Sequence, residues 1–203
     1  MTTKTATGRA IIISGPSGSG KSTVVRQLLA TCSLPIELSV SATTRPPRQG
    51  EQNGVDYLFL SREEFQHRQQ AGDFLECKEV FHCGDWYGTL KETVTSGLRA
   101  GKWVLLEIDV EGAMTALESL PDAVTFFLHP GSLEELERRL RERNTEDDDV
   151  IARRLDVARK EMEFSHRYQY EIINTQVAQA VSDICEHLTH SANSPGFDSC
   201  EKN

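Results

Sequence analysis

The stretch IIISGPSGSGKST, residues 11–23, joins an apolar run to a glycine-rich turn and a helix start. Ala10–Ile13 reads as a buried strand, and Lys21–Ala30 carries helical periodicity. Between them Gly15-Pro16-Ser17-Gly18-Ser19-Gly20-Lys21-Ser22, followed by Thr23, satisfies G-x-x-x-x-G-K-[ST] in the strand–turn–helix context that the motif requires. Glycines let backbone N–H groups curl around phosphate oxygens, and the helix N-terminus adds positive potential. Lys21 is placed to reach β- and γ-phosphates, and the Ser22 hydroxyl to ligate Mg²⁺. The reading is therefore an ATP–magnesium site. A glycine-rich turn that binds nothing leaves the agreement of motif and context unexplained. The motif does not say whether the phosphoryl group passes to water or to another acceptor.

Working outward, short apolar runs alternate with helical patterns. Strands are expected at Leu38–Val40, Tyr57–Leu60, Trp103–Ile108, Val124–Leu128 and Tyr170–Ile173. The runs at 103 and 124 are nearly continuous in apolar residues, as strands buried on both faces require. Ser61-x-x-Glu64 and Ser132-x-x-Glu135 have capping-box spacing and mark helix starts. A last helix is expected over Val177–Leu188. This alternation predicts an α/β fold with a parallel core sheet and helices on both faces. Two regions break the rhythm: residues 41–98, rich in turns, read as a mixed α+β insertion, and residues 138–158 as a charge-dominated pair of helices. Residues 191–203 lack periodicity and predict a disordered tail.

The 203 residues allow one domain with insertions, and 38% hydrophobic with 26% charged residues describe a soluble globular chain. A net charge of −9 argues against a general nucleic-acid binder and makes local arginine clusters informative. No apolar run is long enough to cross a bilayer, and no signal core precedes the first strand. Five scattered cysteines, without a C-x-x-C pair, fit a reducing compartment. The expectation is a cytoplasmic protein with no membrane or nucleic-acid partner, its oligomeric state open between monomer and homodimer.

In SATTRPPRQGEQNGVDY, residues 41–57, Arg45 and Arg48 flank two prolines and together suit a phosphate dianion. Tyr57 and Tyr87 add hydroxyl donors without charge. SGPSGSGKST, SVSATTRPPRQGEQNGVDY, WYGT and IDVEG, in this order, resemble guanylate kinase, a nucleoside-monophosphate kinase, over about Arg9–Leu188. The resemblance implies a P-loop core (8–40, 99–137 and 159–190), an inserted GMP-binding domain (41–98) and a helical lid (138–158). It implies transfer of a phosphoryl group from ATP to GMP with Mg²⁺.

On that resemblance Arg45, Arg48, Tyr57 and Tyr87 hold the GMP phosphate. Glu76 reads guanine, whose ring N–H and exocyclic amine are adjacent donors suited to one carboxylate, and Ser41 and Thr89 complete the base site. Asp109, in IDVEG, stands on the acceptor side; Glu107 stands where the family more often has aspartate and would meet the metal through water. Lys21, Arg45 and the lid arginines Arg139, Arg143 and Arg154 would stabilise the transferred charge, whereas Arg138, Arg141 and Arg153 read as surface partners of nearby carboxylates. Asn174 matches an asparagine near the adenine, but Thr175 and Gln176 replace the usual acidic residues. Asn144 replaces the usual glycine after the lid arginine, and the loop carrying His82 and Cys83 is about two residues longer than usual. Two alternatives stand beside this reading: a P-loop kinase of another small phosphorylated acceptor, and a non-catalytic guanylate-kinase-like module that binds proteins.

Overall fold

The computed structural model describes residues 8–80, 84–142 and 148–193. In chain order the first elements are β1 (Arg9–Ser14), α1 (Lys21–Thr31), β2 (Ile36–Leu38), β3 (Ala42–Thr43), β4 (Leu58–Phe59), α2 (Arg62–Gln70), β5 (Phe74–Val80) and β6 (Asp85–Leu90). There follow α3 (Lys91–Arg99), β7 (Trp103–Glu107), α4 (Val110–Ser119), β8 (Val124–His129), α5 (Leu133–Glu142), α6 (Asp148–Met162), β9 (Tyr170–Ile173) and α7 (Val177–Asn193).

Five strands form an all-parallel sheet in the order β2-β7-β1-β8-β9. The strand period of two explains how both faces are filled. Ile11, Ile13, Leu105, Phe126 and Leu128 face α1 and α7, which contribute Val24, Leu28, Val181, Ile184 and Leu188. Ile12, Val104, Leu106 and Phe127 face the other way, against Val94 of α3 and Val110, Ala113 and Ala116 of α4. Each such aliphatic or aromatic side chain contributes about 1.5–3 kcal/mol on burial. The apolar runs read as doubly buried strands are therefore the central strands of the sheet.

The second sheet has the order β4-β3-β6-β5, with β3 and β4 parallel and β6 antiparallel to both β3 and β5. Phe65 of α2 stacks on Phe74 at 4.4 Å and, with Leu60, Ala42 and Leu90, makes a separate small core. A bulge between Phe74 and Glu76 shifts the alternation of β5. Phe74 and Cys77 thus share this core, while Glu76 and Lys78 point towards α4. Helices α5 and α6 pair through Leu136, Leu140, Ile151 and Ala158. The capping serines act as read: Ser61 Oγ accepts from Glu64 N at 3.1 Å and Ser132 Oγ from Glu135 N at 3.2 Å.

Some boundaries move. The expected strand at 38–40 is Ile36–Leu38, and that at 57–60 shortens to Leu58–Phe59. Strands β5 and β6 escaped the periodicity because half-buried positions of β5 carry charge and a bulge interrupts its alternation. The last helix runs to Asn193, so the expected tail does not start at 191; Arg9 Nη1 donates to Ser191 O at 2.7 Å and ties down the final turn. Residues 194–203 lie outside the described residues. Among the described residues, no helix is long and apolar enough to cross a membrane.

Candidate active site

The site begins at the carboxyl edge of the parallel sheet, where α/β proteins place ligands. Gly15 has φ +139°, and a Cβ there would lie 2.0 Å from Leu128 O, so no side chain fits the turn. Gly20 caps α1 at φ +92°, and a Cβ there would lie 2.6 Å from Asn174 Nδ2. Lys21 folds back over the loop, its Nζ donating to Gly15 O at 2.7 Å and to Pro16 O at 3.1 Å. Burial pushes the Lys21 pKa down, against the pull of Glu107, Glu161 and Asp109.

Register brings the next partner. Ile13 pairs with Glu107 across β1 and β7, so the strand end beside the loop carries a carboxylate. Ser22 Oγ donates to Glu107 Oε1 at 2.6 Å. Asp109, two residues on, caps α4: its Oδ1 accepts from Gly112 N at 2.8 Å, and its Oδ2 lies 2.5 Å from Lys78 Nζ. A cavity of about 960 Å³ joins these groups, lined by Gly15, Lys21, Lys78, Glu107, Asp109 and Arg154 among others.

On the second sheet, Thr89 Oγ1 donates to Glu76 Oε1 at 2.6 Å. Burial raises the Glu76 pKa, and the bond from Thr89 opposes that shift. Arg45 packs 5.5 Å over the Tyr57 ring, and its Nε donates to Tyr87 Oη at 3.0 Å. Its Nη2 donates to both oxygens of Glu51, at 2.8 and 3.0 Å. Glu51 Oε2 also accepts from Arg48 N at 2.7 Å. This carboxylate occupies, on Arg45, the place of an anion; hydrogen bonding from Arg45 lowers its pKa. Ser41 supplies its backbone to β4, accepting from Leu58 N at 2.9 Å. The Arg48 side chain is exposed.

The arginines of the charged helices separate. Arg154 lines the main cavity. Arg139 lines a smaller pocket with Gly18, Gly20, Thr23 and Asn174. It donates to Asn174 O at 2.7 Å and to Glu135 Oε1 at 2.7 Å, while Asn174 Nδ2 donates to Ser19 O at 2.8 Å. Arg143, Asn144, His82 and Cys83 lie outside the described residues. Arg138 bonds Glu135 at 2.8 Å and also Glu142, Arg141 bonds Glu137 at 2.9 Å, and Arg153 Nε donates to Asp149 O at 3.1 Å.

Sequence reasoning missed four participants: Glu51, Lys78, Gly112 and Glu161. Glu161, on α6, lines the cavity with one buried oxygen lacking a hydrogen-bond partner among the described residues, and burial raises its pKa. Glu51 had a local signal, three residues after Arg48 in a turn. Gly112 closes the IDVEG stretch, but its contact with Glu76, like the partners of Lys78 and Glu161, is distant in sequence.

Comparison with known proteins agrees with this geometry. A guanylate kinase family profile matches residues 7–191. The chain is 60% identical over 183 residues to the guanylate kinase of Rhodopirellula baltica, covering 89% of this chain and 87% of that protein. It is 46% identical over 177 residues to that of Fusobacterium nucleatum, covering 87% and 94%. The crystal structure of guanylate kinase from Anaplasma phagocytophilum superposes with a TM-score of 0.75 at 32% identity, covering 93% of this chain and 88% of that one. A phosphate loop facing a second sheet that carries Arg45 and Glu76, matched in sequence nearly end to end, makes this chain a member of the guanylate kinase family.

Proposed function

We propose that the protein transfers the γ-phosphoryl group of ATP to GMP, giving ADP and GDP. The observation that carries this reading is a cavity running from the phosphate loop past Cys77, Lys78 and Trp86 of the second sheet to Asp109, these residues being chain neighbours of Glu76 and of Tyr87, which Arg45 bonds. GMP is the acceptor that matches both ends: its guanine offers two adjacent donors to the Glu76 carboxylate, and its phosphate offers a dianion to Arg45, Arg48, Tyr57 and Tyr87. The Thr89 and Ser41 hydroxyls complete the base site, and Asp109 sits between acceptor and donor. When the phosphate arrives, Arg45 exchanges Glu51 for it, so the guanidinium is already oriented.

On the donor side, residues Gly15–Thr23 wrap the phosphates of ATP, Lys21 neutralises charge on the β- and γ-phosphates, and Asn174 adjoins the adenine. The attacking group is a phosphate oxygen, anionic near neutral pH, so no separate activating base is needed. Catalysis is positioning and charge stabilisation. The segments divide into a core, a GMP-binding insertion over 41–98 whose sheet ends at Leu90 before α3 returns to the core, and a lid over 138–158. Arg139, Arg143 and Arg154 of that lid would exclude water and meet the transferred charge on closure.

Magnesium suits the donor set. Ser22 Oγ and Glu107 Oε1, 2.6 Å apart, are hard oxygens beside the loop. Among the described residues no group of three or more His, Cys, Asp or Glu side chains could hold a metal by itself. That pattern fits an ion bound by few protein oxygens and by substrate phosphates. Ser22 would hold it directly and Glu107 through water; when bound, the ion neutralises charge on the phosphates. The acidic balance and free Cys32, Cys77 and Cys185 support a cytoplasmic enzyme acting on small nucleotides.

A coupled assay of ADP formation with GMP, AMP, CMP, UMP and ribose phosphates tests the reading. GMP should be preferred by a wide margin. Equal turnover of a ribose phosphate would assign a different acceptor, and no ADP with any acceptor would remove the enzymatic function.

A further inference from the structure

Gly112 is the third residue of α4, buried, with an ordinary helical backbone and a negative φ. Nothing in its conformation calls for glycine, and glycine is a poor helix former compared with alanine. The reason lies in what faces it. A Cβ at this position would lie 2.9 Å from Glu76 Oε2, 3.3 Å from Glu76 Cδ and 3.3 Å from Asp109 Oδ1. The nearest of these atoms is the far end of a flexible side chain, so the backbone could keep its place and the Glu76 carboxylate would have to move.

Glu76 is confined from the other side as well. Its Oε1 accepts the Thr89 hydroxyl at 2.6 Å, and the two residues pair across β5 and β6. The carboxylate is thus seated between a hydroxyl on the second sheet and the first turn of a helix belonging to the large sheet. Asp109 is fixed in the same place, with one oxygen on Gly112 N and the other on Lys78 Nζ. The missing side chain at 112 is what lets the Glu76 carboxylate lie against the helix.

We infer that Gly112 is a specificity-determining positioning residue, whose lack of a side chain sets the depth of the Glu76 carboxylate and so the fit of guanine. The inference rests on the proposed reading of Glu76 as the guanine-binding carboxylate. It makes Gly112 a residue that acts chiefly through Glu76, the carboxylate nearer to a Cβ at 2.9 Å, with Asp109 Oδ1 the farther contact at 3.3 Å. Displacing the carboxylate towards the base would spoil the paired contact with the ring N–H and the exocyclic amine, while leaving the phosphate and ATP sites intact.

The test is Gly112→Ala in the full chain, assayed with GMP and with IMP, which lacks the exocyclic amine. The expected result is a roughly 10- to 100-fold rise in KM for GMP with kcat changed less than about threefold and KM for ATP unchanged. The ratio of kcat/KM for GMP over IMP should fall with it, because the second donor loses its acceptor. Glu76→Asp, which retracts the carboxylate by one methylene, should cost much less activity in the Gly112→Ala chain than in the wild type. A GMP KM and GMP-to-IMP ratio within twofold of wild type, or strictly additive losses in the double variant, would overturn the inference. Melting temperatures give an independent arm should Gly112→Ala fold poorly. In a Glu76→Ala background, with the carboxylate gone, alanine at 112 should leave the melting temperature unchanged or raise it. A drop there would place the clash elsewhere and end the inference. Wild-type GMP turnover, measured alongside, keeps the two readings apart. If it is absent, the functional reading and this inference fall together; if it is present beside an indifferent variant, only the role of Gly112 falls.

Discussion

Lys21 shows how much a single residue carries. Its ammonium donates to Gly15 O and Pro16 O, and burial pushes its pKa down while three carboxylates pull it up. It lies at the loop, where it lines the cavity, and not in the apolar core. Lys21→Ala should therefore melt close to wild type and lose at least about 10²-fold in kcat, the scale of one lost donor to developing charge. Near-normal turnover in the folded variant would take the phosphate loop out of the mechanism. Glu76→Gln keeps size but puts an amide donor where guanine presents donors. It should cost about 2–4 kcal/mol, roughly 30- to 1000-fold in kcat/KM for GMP, with AMP use falling far less. Equal losses with both nucleotides would make Glu76 merely structural. Because burial raises the Glu76 pKa above its ordinary 4.5, it takes up its proton earlier on acidification than a surface carboxylate does. The kcat/KM for GMP should decline accordingly at a pH above 4.5, and a pH profile of Glu76→Gln should lack that limb.

At the scale of elements, α5 links stability to the donor site. Leu136 and Leu140 are 1% and 2% exposed and pack against α6. A Cβ on Gly18 would come within 3.1 and 3.0 Å of their methyl groups, so the same stripe braces the phosphate loop. Leu140→Ala should destabilise by about 2–5 kcal/mol, read by chemical denaturation, and raise KM for ATP more than KM for GMP. A GMP-selective defect would show that α5 braces the other site. The exposed face of α5 behaves differently. Arg138, then Arg139, holds the Glu135 pKa at about 2, below its ordinary 4.5. A carboxylate depressed in the folded state favours folding above the unfolded value and loses that contribution as pH falls to the folded one. The melting difference between wild type and Glu135→Gln should thus be small and constant above pH 4.5 and vanish towards pH 2. A difference that persists to pH 2 would trace it to shape and not to charge.

For the whole molecule, the two sheets meet where Lys78 of β5 bridges Asp109 and Glu111 of the large sheet's α4, at 2.5 and 3.2 Å. A ligand that binds the folded chain alone stabilises it by about 2.7 kcal/mol at a hundred times its Kd. GMP held by residues of both units should do so and sharpen a single melting transition. Two transitions with only one moved by GMP would mean that the second sheet binds the nucleotide unaided.

The limits of sequence reading follow the range of the interactions. The phosphate loop, the doubly buried strands β1, β7 and β8 and the serine caps of α2 and α5 are legible because their causes are local: glycines that admit positive φ, unbroken apolar runs, and a hydroxyl three residues from the amide it accepts. Arg45 was legible beside Arg48 and two prolines, whereas the resemblance carried Glu76, which no local pattern separates from an ordinary surface carboxylate. Strands β5 and β6 were illegible because charge and a bulge mask their alternation. Only the folded chain seats Ser22 on Glu107 across 85 residues, parks Arg45 on Glu51 and sets the bare face of Gly112 against Glu76. Local chemistry accounts for the loop, the parallel core and the residue types of the site. The tertiary structure decided which of those groups touch, because contacts across two sheets depend on strand order and register, and these are set by packing of the whole.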